Sequence, residues 1–453
     1  MLPNTDLGGF NKYFTAKFWE AINSQRLDQL DSDAQAAIVE GVFNSLKNNT
    51  YSPSIPIKYL DFDKGFGVVR RIPVFEAKDY CVYFFCVSKI QKYIYGERVP
   101  NTFGGWSLSG EINKIRLDEE KDELNAFQEG DYISPYAYNP KAWGHYYGEF
   151  NARLYKRIQD AEKESKCKYV IEFDIANYYD CIRLPILEKK IRSKCPPDLQ
   201  NVIDLLIHFL KYWNKDVNGY TDQVTGLPQD ALQDCSRLLA YFYLSDYDNY
   251  VASICDIKEN VYFRYSDDQF IFIKTKEEAR EMLRLCSLEL NKIGLNINQR
   301  KVRLFSLDEI KHYRSFSTFD IFRVKGSMKD RIQIKKFCQA IVEVDLEQVK
   351  DRGYPLVKKI LSADIRLLPL DLRTKLLALC YDEDFITNHS TAYYLSQIYS
   401  VLSDEEKKDY LIMLNDYLSL NKYSRFFHEM YRFYISEGLN ATKTREKIEK
   451  YEH

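Results

Sequence analysis

The chain has 453 residues, enough for two or three packed units, and its 45% hydrophobic and 29% charged content belongs to a folded, water-soluble protein rather than a disordered one. A formal net charge of −2 excludes an indiscriminately basic nucleic-acid binder, so a nucleic-acid partner would have to meet positive charge gathered on one face. The ten cysteines form no C-x-x-C pair and only six histidines accompany them, which argues against a zinc site or a disulfide framework and for reduced thiols in a cytoplasm.

In chain order, residues 1 to about 50 read as helical, with Phe14, Phe18, Trp19 and Ile22 at helix-like spacing. Ile55 to Leu60 and Phe66 to Ile72 flank Asp61 to Gly65 as a β-hairpin, with Arg70, Arg71 and Lys78 on it or just after it. Asn101 to Trp106 reads as a turn, and residues 97–150 as an insertion with an acidic, solvated segment from Glu111 to Asp131. The order of elements then becomes informative. Tyr169 to Ile175 is a strand, Leu184 to Lys194 a helix, and further helices cover Leu205 to Trp213 and Ser236 to Leu244. Two β-rich runs, Asn260 to Arg264 and Gln269 to Lys274, enclose little except Ser-Asp-Asp, which predicts a tight hairpin. Thr275 and Glu278 form a capping box ahead of a helix whose apolar face is Ala279, Met282, Leu283, Cys286, Leu290 and Ile293; Gly294 ends it, and Leu295 to Ile297 is extended. Without the extra helices this is β-α-β-β-α-β, a ferredoxin-like arrangement. Such a sheet sets the end of its first strand, Asp174, beside the hairpin tip, Asp267 and Asp268.

Three carboxylates gathered from a strand end and a hairpin tip make an all-oxygen, anionic site. Hard divalent cations suit it, Mg²⁺ before any softer metal, with Mn²⁺ as a substitute. Two such ions about 4 Å apart are the usual device for in-line phosphoryl transfer. An acidic turn alone is ordinarily just a solvated turn; a second acidic strand end in the matching place is what favours the metal reading.

Phe173-Asp174-Ile175-Ala176-Asn177-Tyr178-Tyr179-Asp180 resembles the first catalytic motif of reverse transcriptases, and Gly226-Leu227-Pro228-Gln229 is similar to their template-gripping motif. Tyr265-Ser266-Asp267-Asp268 matches their Y-x-D-D box, and Gly294-Leu295-Asn296-Ile297-Asn298-Gln299-Arg300-Lys301 resembles the motif that follows it. The wording is most similar to bacterial defence-associated and abortive-infection reverse transcriptases, through Asp174 to Asp180 and Ser236-Arg237-Leu238-Leu239-Ala240. The resemblance implies an α+β right-hand polymerase. Residues 1–160 would hold N-terminal helices and a fingers hairpin with the insertion at 97–150. Residues 161–315 would be a ferredoxin-like palm, and 316–453 a thumb and all-α C-terminal region.

Carried over by position, Asp174 and Asp267 would bridge the metals, with Asp268 contributing less and the Ile175 carbonyl as a further ligand. Lys301 would approach the triphosphate and protonate pyrophosphate. Tyr179 would lie beneath the incoming sugar and exclude a 2′-hydroxyl, selecting dNTPs, and Gln229 would face the nascent base pair. Arg70, Arg71 and Lys78 are the candidates for gripping the triphosphate. There is one departure: the family has Gly after Leu-Pro-Gln and this chain has Asp230. An acid where backbone approaches a template would repel phosphate, so the substrate path is expected to be unusual, a dedicated structured RNA or untemplated extension.

Beyond the palm, Arg323, Lys325, Lys329, Arg331, Lys335 and Lys336 form a basic run placed to touch a nucleic-acid backbone. The remainder reads as helical from about Ile332. Ser403 and Glu406 form a capping box, Tyr393, Tyr394, Tyr399, Phe426, Phe427, Tyr431 and Tyr434 are core, and Thr442 to Glu452 is a solvated helix or frayed tail. The expected partners are a structured non-coding RNA, a DNA product and dNTPs, with no membrane; a homo-oligomer is compatible. An RNA polymerase on the same palm, template-independent DNA synthesis and a catalytically silent RNA-binding scaffold are the alternatives.

Overall fold

The computed structural model describes residues 6–63, 68–95, 98–105, 108, 142–164, 166–215, 219, 221, 223–230, 232–314, 357–358, 361 and 365–451. Contacts divide the chain into Met1–Ile57 with Pro73–Leu307 as one unit, and Lys58–Ile72 with Asp308–His453 as the other. Seven strands occur among the described residues: β1 (Lys58–Asp63), β2 (Val69–Val74), β3 (Thr102–Phe103), β4 (Tyr169–Phe173), β5 (Val261–Tyr265), β6 (Asp268–Ile273) and β7 (Arg303–Ser306).

The first unit is built on the helix Ala77–Ile94, buried on nearly every side from Tyr80 to Val87. A helix apolar all round must be enclosed by others. The N-terminal helices Ala16–Asn23 and Ser32–Lys47 and the helix Gln200–Tyr212 enclose it. Much of the chain's aromatic content is used here: Phe75 and Tyr83 lie 5.4 and 4.9 Å from Phe209, and Phe18 lies 5.1 Å from Phe84.

Against these helices stands a five-stranded sheet in the order β3-β5-β6-β4-β7. Strands β4 to β7 pair antiparallel and carry the β-α-β-β-α-β order read from the sequence. Half of the expected capping box before the helix Lys276–Lys292 forms: the Thr275 hydroxyl accepts from the Glu278 amide at 3.2 Å, a cap worth about 1 kcal/mol, while the Glu278 carboxylate accepts from the Lys274 amide and the Asn260 side chain, both at 2.9 Å. The fifth strand, β3, corrects the reading of Asn101 to Trp106 as a turn. It runs parallel to β5, with Thr102 opposite Arg264 and Phe103 opposite Tyr265. Both ends of the segment read as a solvated insertion are built into this unit, since Thr102, Phe103, Tyr146 and Phe150 are buried. Residues 111–141 of that segment lie outside the described residues.

In the second unit, β1 and β2 form the expected hairpin, shifted two or three residues C-terminal to the sequence reading. Its contacts group it with the C-terminal helices rather than with residues 1–57: β1 packs on the helix Ser424–Ser436, and the Arg425 guanidinium lies 5.5 Å from the Phe62 ring centre. The helix Asp404–Leu420 starts at the predicted capping box, with the Ser403 amide donating to Glu406 at 2.7 Å. Phe426, Phe427 and Tyr434 are buried as expected, whereas Tyr393 is exposed, its ring edge against Tyr394. The helix Thr442–Tyr451 is solvated on one side and packs Ile448 and Tyr451 onto its neighbour. All nine described cysteines are free thiols, and no described helix is long and apolar enough to cross a membrane.

Candidate active site

Asp174 follows β4, and its burial, at 3% exposure, comes from sheet geometry. Strand β4 is an interior strand, paired to β6 on one edge and β7 on the other. The β4–β6 register runs from Tyr169 opposite Ile273 to Phe173 opposite Gln269. Continued one step, it sets Asp174 opposite Asp268, and continued two steps, Ile175 opposite Asp267. The predicted meeting of strand end and hairpin tip is therefore present in the backbone.

The tip itself is a two-residue turn, Ser266 and Asp267, between the paired residues Tyr265 and Asp268. Such short turns twist with the strands only if a residue takes positive φ, and Ser266 does, at +57°. The Ser266 amide donates to the Phe103 carbonyl of β3 at 3.0 Å. Gly104, at φ +116°, is required beside it, because a Cβ there would stand 2.4 Å from the Ser266 nitrogen. Asp267 and Asp268 are half-buried at this tip.

Lys301 arrives from the other side. The helix Lys276–Lys292 is followed by Gly294 at φ +79°, buried Leu295, and a bridge between Ile297 and Ile175, which leads into a 3₁₀ turn, Gln299–Lys301. That turn lays the Lys301 ammonium on Asp174 Oδ2 in a short hydrogen-bonded ion pair. Partial burial pulls the Lys301 pKa down, but the hydrogen bond and charge of Asp174, followed by the charges of Asp268 and Asp267, outweigh it and raise the pKa above the ordinary lysine value. All three acids thus act electrostatically on one ammonium.

A hard cation would find a matching donor set here. Asp174 Oδ1 is buried and has no hydrogen-bond partner. The Ala176 amide donates to Asn296 and the Asn298 amide to Asp174, which makes Ile175 and Ile297 the non-exchanging kind of antiparallel pair. The Ile175 carbonyl is therefore directed to the other edge of the strand, the edge on which β6 lies. Among the described residues no three His, Cys, Asp or Glu side chains already stand as a closed metal cluster. The donors share one end of the sheet, with Lys301 on one of their oxygens.

Tyr179 is half-buried beside the tip, its hydroxyl 3.4 Å from Ser266 Oγ, and its carbonyl accepts from the Leu227 amide at 2.9 Å. That second bond ties the Gly226–Gln229 loop to the site. Ser236 binds the Pro228 carbonyl, and Tyr83 lies 2.7 Å from the Ser236 hydroxyl. Gln229 is half-buried on the loop.

Asp230 departs from the sequence reading. It is fully buried, its Oδ1 accepts from the Leu232 amide at 3.0 Å, and Oδ2 has no partner. Burial pushes its pKa up to about 8. It faces the interior as a neutral acid and presents no charge to a template, so the expected repulsion has no structural basis. A stability prediction follows with a definite sign. Between the ordinary carboxyl value of 3.8 and about 8 the unfolded chain loses a proton that the folded chain keeps, so stability falls as pH rises through that window. Asp230→Asn keeps the bond to Leu232 and cannot ionise. It should raise the melting midpoint by several degrees at pH 8 and by nothing at pH 4, as followed by circular dichroism. Asp79, pushed up to about 6 by burial, has the same sign in both proteins and cancels in the comparison.

Arg70 and Arg71 belong to the second unit, where Arg71 lies 3.7 Å from Asp61 and over the Tyr59 ring at 4.2 Å. Lys78 is half-buried in the first turn of the helix Ala77–Ile94. Arg323, Lys325, Lys329, Arg331, Lys335 and Lys336 lie outside the described residues. Sequence reasoning missed Arg264, which stands fully buried behind the tip. An arginine inside an otherwise apolar strand was the available signal.

A family model described as reverse transcriptase (RNA-dependent DNA polymerase) matches residues 111–348, more than half of the chain. No curated protein matches the sequence. Among solved structures, the chain is similar to telomerase from Candida albicans in complex with the TWJ fragment of telomeric RNA, at TM-score 0.28 and 12% identity over 59% of this chain and 50% of that one. It is also similar to the apo telomerase of Candida tropicalis, at TM-score 0.34 and 12% identity over 95% of this chain and 72% of that one. This chain thus spans half the length of the first.

Proposed function

The chain belongs to the reverse transcriptase family, and on that premise we propose that it is an RNA-directed DNA polymerase, a nucleotidyltransferase adding dNTPs to a 3′-hydroxyl. The observation that supports this best is buried Asp174, with an unpartnered oxygen, beyond a strand whose register runs on to the hairpin tip, where Asp267 lies in the turn and Asp268 opens β6. In this reading strands β4 to β7 are the palm, the β1–β2 hairpin belongs to the fingers, and the region after residue 315 supplies the thumb.

Asp174, Asp267 and the Ile175 carbonyl are the ligands for divalent cations, Mg²⁺ or Mn²⁺, and Asp268 adds negative charge. Two bound cations supply Lewis-acid polarisation of the phosphoryl oxygens and ease deprotonation of the attacking hydroxyl. Lys301 sits on Asp174 Oδ2 and holds a proton at Nζ for the leaving pyrophosphate. Gln229 lies against the nascent base pair, Arg70, Arg71 and Lys78 are the candidates for holding the triphosphate, and the basic run from Arg323 to Lys336 follows the nucleic-acid backbone. The Tyr179 ring, its hydroxyl beside Ser266 Oγ and its backbone tied to Leu227, closes the space a 2′-hydroxyl would need. Tyr179→Val should lower the preference for dNTPs over rNTPs by about 10–100-fold, in keeping with what a pocket wall discriminates, with little change in kcat for dNTPs. Competition between labelled dCTP and CTP measures it.

The setting we propose is prokaryotic antiphage defence in the cytoplasm, with a dedicated non-coding RNA as template. Purification of the full chain with its bound nucleic acid, incubation with dNTPs and sequencing of both RNA and DNA tests the whole reading. DNA complementary to a co-purified RNA is expected. Incorporation of rNTPs alone would point to an RNA polymerase, product without sequence relation to any RNA to untemplated synthesis, and no product with either Mg²⁺ or Mn²⁺ to a scaffold.

A further inference from the structure

Arg264 has no exposed surface and makes three directed bonds. Its Nε and Nη2 donate to Asp248 Oδ1 and Oδ2 at 2.8 and 2.5 Å, and its Nη1 donates to the Ser266 carbonyl at 2.8 Å. Asp248 lies on the helix Ser245–Lys258 and also accepts from the Tyr262 hydroxyl at 2.9 Å. A guanidinium is a rigid planar fork, so a bidentate grip on Asp248 fixes the direction of the remaining arm. That arm reaches the carbonyl of the one residue in the hairpin tip with positive φ, and the amide of the same residue is held by Phe103. Both backbone polar groups of Ser266 are thus tied, one through β3 and one through the arginine. The peptide that leads into Asp267 has little freedom left.

We propose that Arg264, oriented by Asp248, is a positioning residue that fixes the Asp267 carboxylate for cation binding. This rests on the polymerase reading above. A buried ion pair is weak evidence for stability, because its desolvation penalty offsets most of the attraction, and a well-packed apolar pair often folds as well. The bond to Ser266 is what an apolar pair cannot replace.

Two variants of the full chain separate the roles. Arg264→Lys keeps a positive charge against Asp248 but lacks the fork that reaches Ser266. The double variant Arg264→Met with Asp248→Leu removes both buried charges together and with them the third bond. Mn²⁺ binding is titrated by electron paramagnetic resonance, and kcat and dNTP KM are measured beside thermal melts. In both variants the half-saturating Mn²⁺ concentration should rise about tenfold or more and kcat should fall about as far, the usual loss when a ligand's supporting partner is removed, with dNTP KM nearly constant. Wild-type Mn²⁺ affinity and kcat in either folded variant would overturn the proposal. Failure of both variants to fold would also overturn it, by assigning Arg264 to the core. A wild-type chain that binds Mn²⁺ without incorporating dNTPs would count against the polymerase reading instead.

Discussion

Asp267→Asn is expected to reduce dNTP incorporation by about 10³-fold or more, equivalent to the several kcal/mol of charge stabilisation a bound cation provides. The substitution is nearly isosteric and sits in a turn whose backbone is held from elsewhere, by Phe103 and Arg264 at Ser266 and by the paired Tyr265 and Asp268. The melting midpoint should therefore stay within a few degrees of wild type. Asp268→Asn should have a smaller effect, because Asp268 is held in β6, paired with Tyr265, rather than in the turn. Single-nucleotide extension, with folding followed by circular dichroism, measures both. Wild-type incorporation by the Asp267 variant would remove the carboxylates from the chemistry and leave the scaffold reading. A protective phenotype that survives Asp267→Asn with Asp268→Asn would do the same in cells.

The parts of the site legible in the sequence are those fixed by local backbone chemistry. Ser266-Asp267 between two runs of Val, Tyr, Phe and Ile could hardly be anything but a hairpin tip, and it forms within one residue of the predicted limits. The helix after Thr275 was legible because a capping side chain marks its start. What escaped depends on partners far away in the chain. Strand β3 has only two residues and exists because Phe103 and Asn101 offer carbonyls to the Ser266 and Arg264 amides. Nothing within Asn101 to Trp106 announces that. Asp230 looked like a charge facing nucleic acid because a sequence shows residue type and not burial; in the fold it is an enclosed acid with one backbone partner. Likewise Arg70 and Arg71 stand in a correctly read hairpin, yet which unit holds it was set by β1 packing on a helix some 360 residues later.

Lys301→Met should separate two effects that a simple loss of activity would merge. In the structure the Lys301 ammonium sits on Asp174 Oδ2, an oxygen a cation would otherwise take, while Oδ1 has no partner. An ammonium and a metal ion on one carboxylate compete. Removal of the ammonium should therefore tighten Mn²⁺ binding several-fold, although the same substitution slows the reaction. The slowing should be about 10²–10³-fold in kcat if Nζ delivers a proton to the leaving pyrophosphate, the usual size of a general-acid contribution. Lys301 is suited to that role because its net pKa shift is upward despite partial burial, so it carries its proton throughout the neutral range. If Lys301 merely touches a phosphate, the pattern inverts: dNTP KM rises, kcat holds, and Mn²⁺ affinity still increases. Weaker Mn²⁺ binding in the variant would instead show that the lysine holds Asp174 in its binding conformation, and that the ion pair prepares the cation site rather than contesting it.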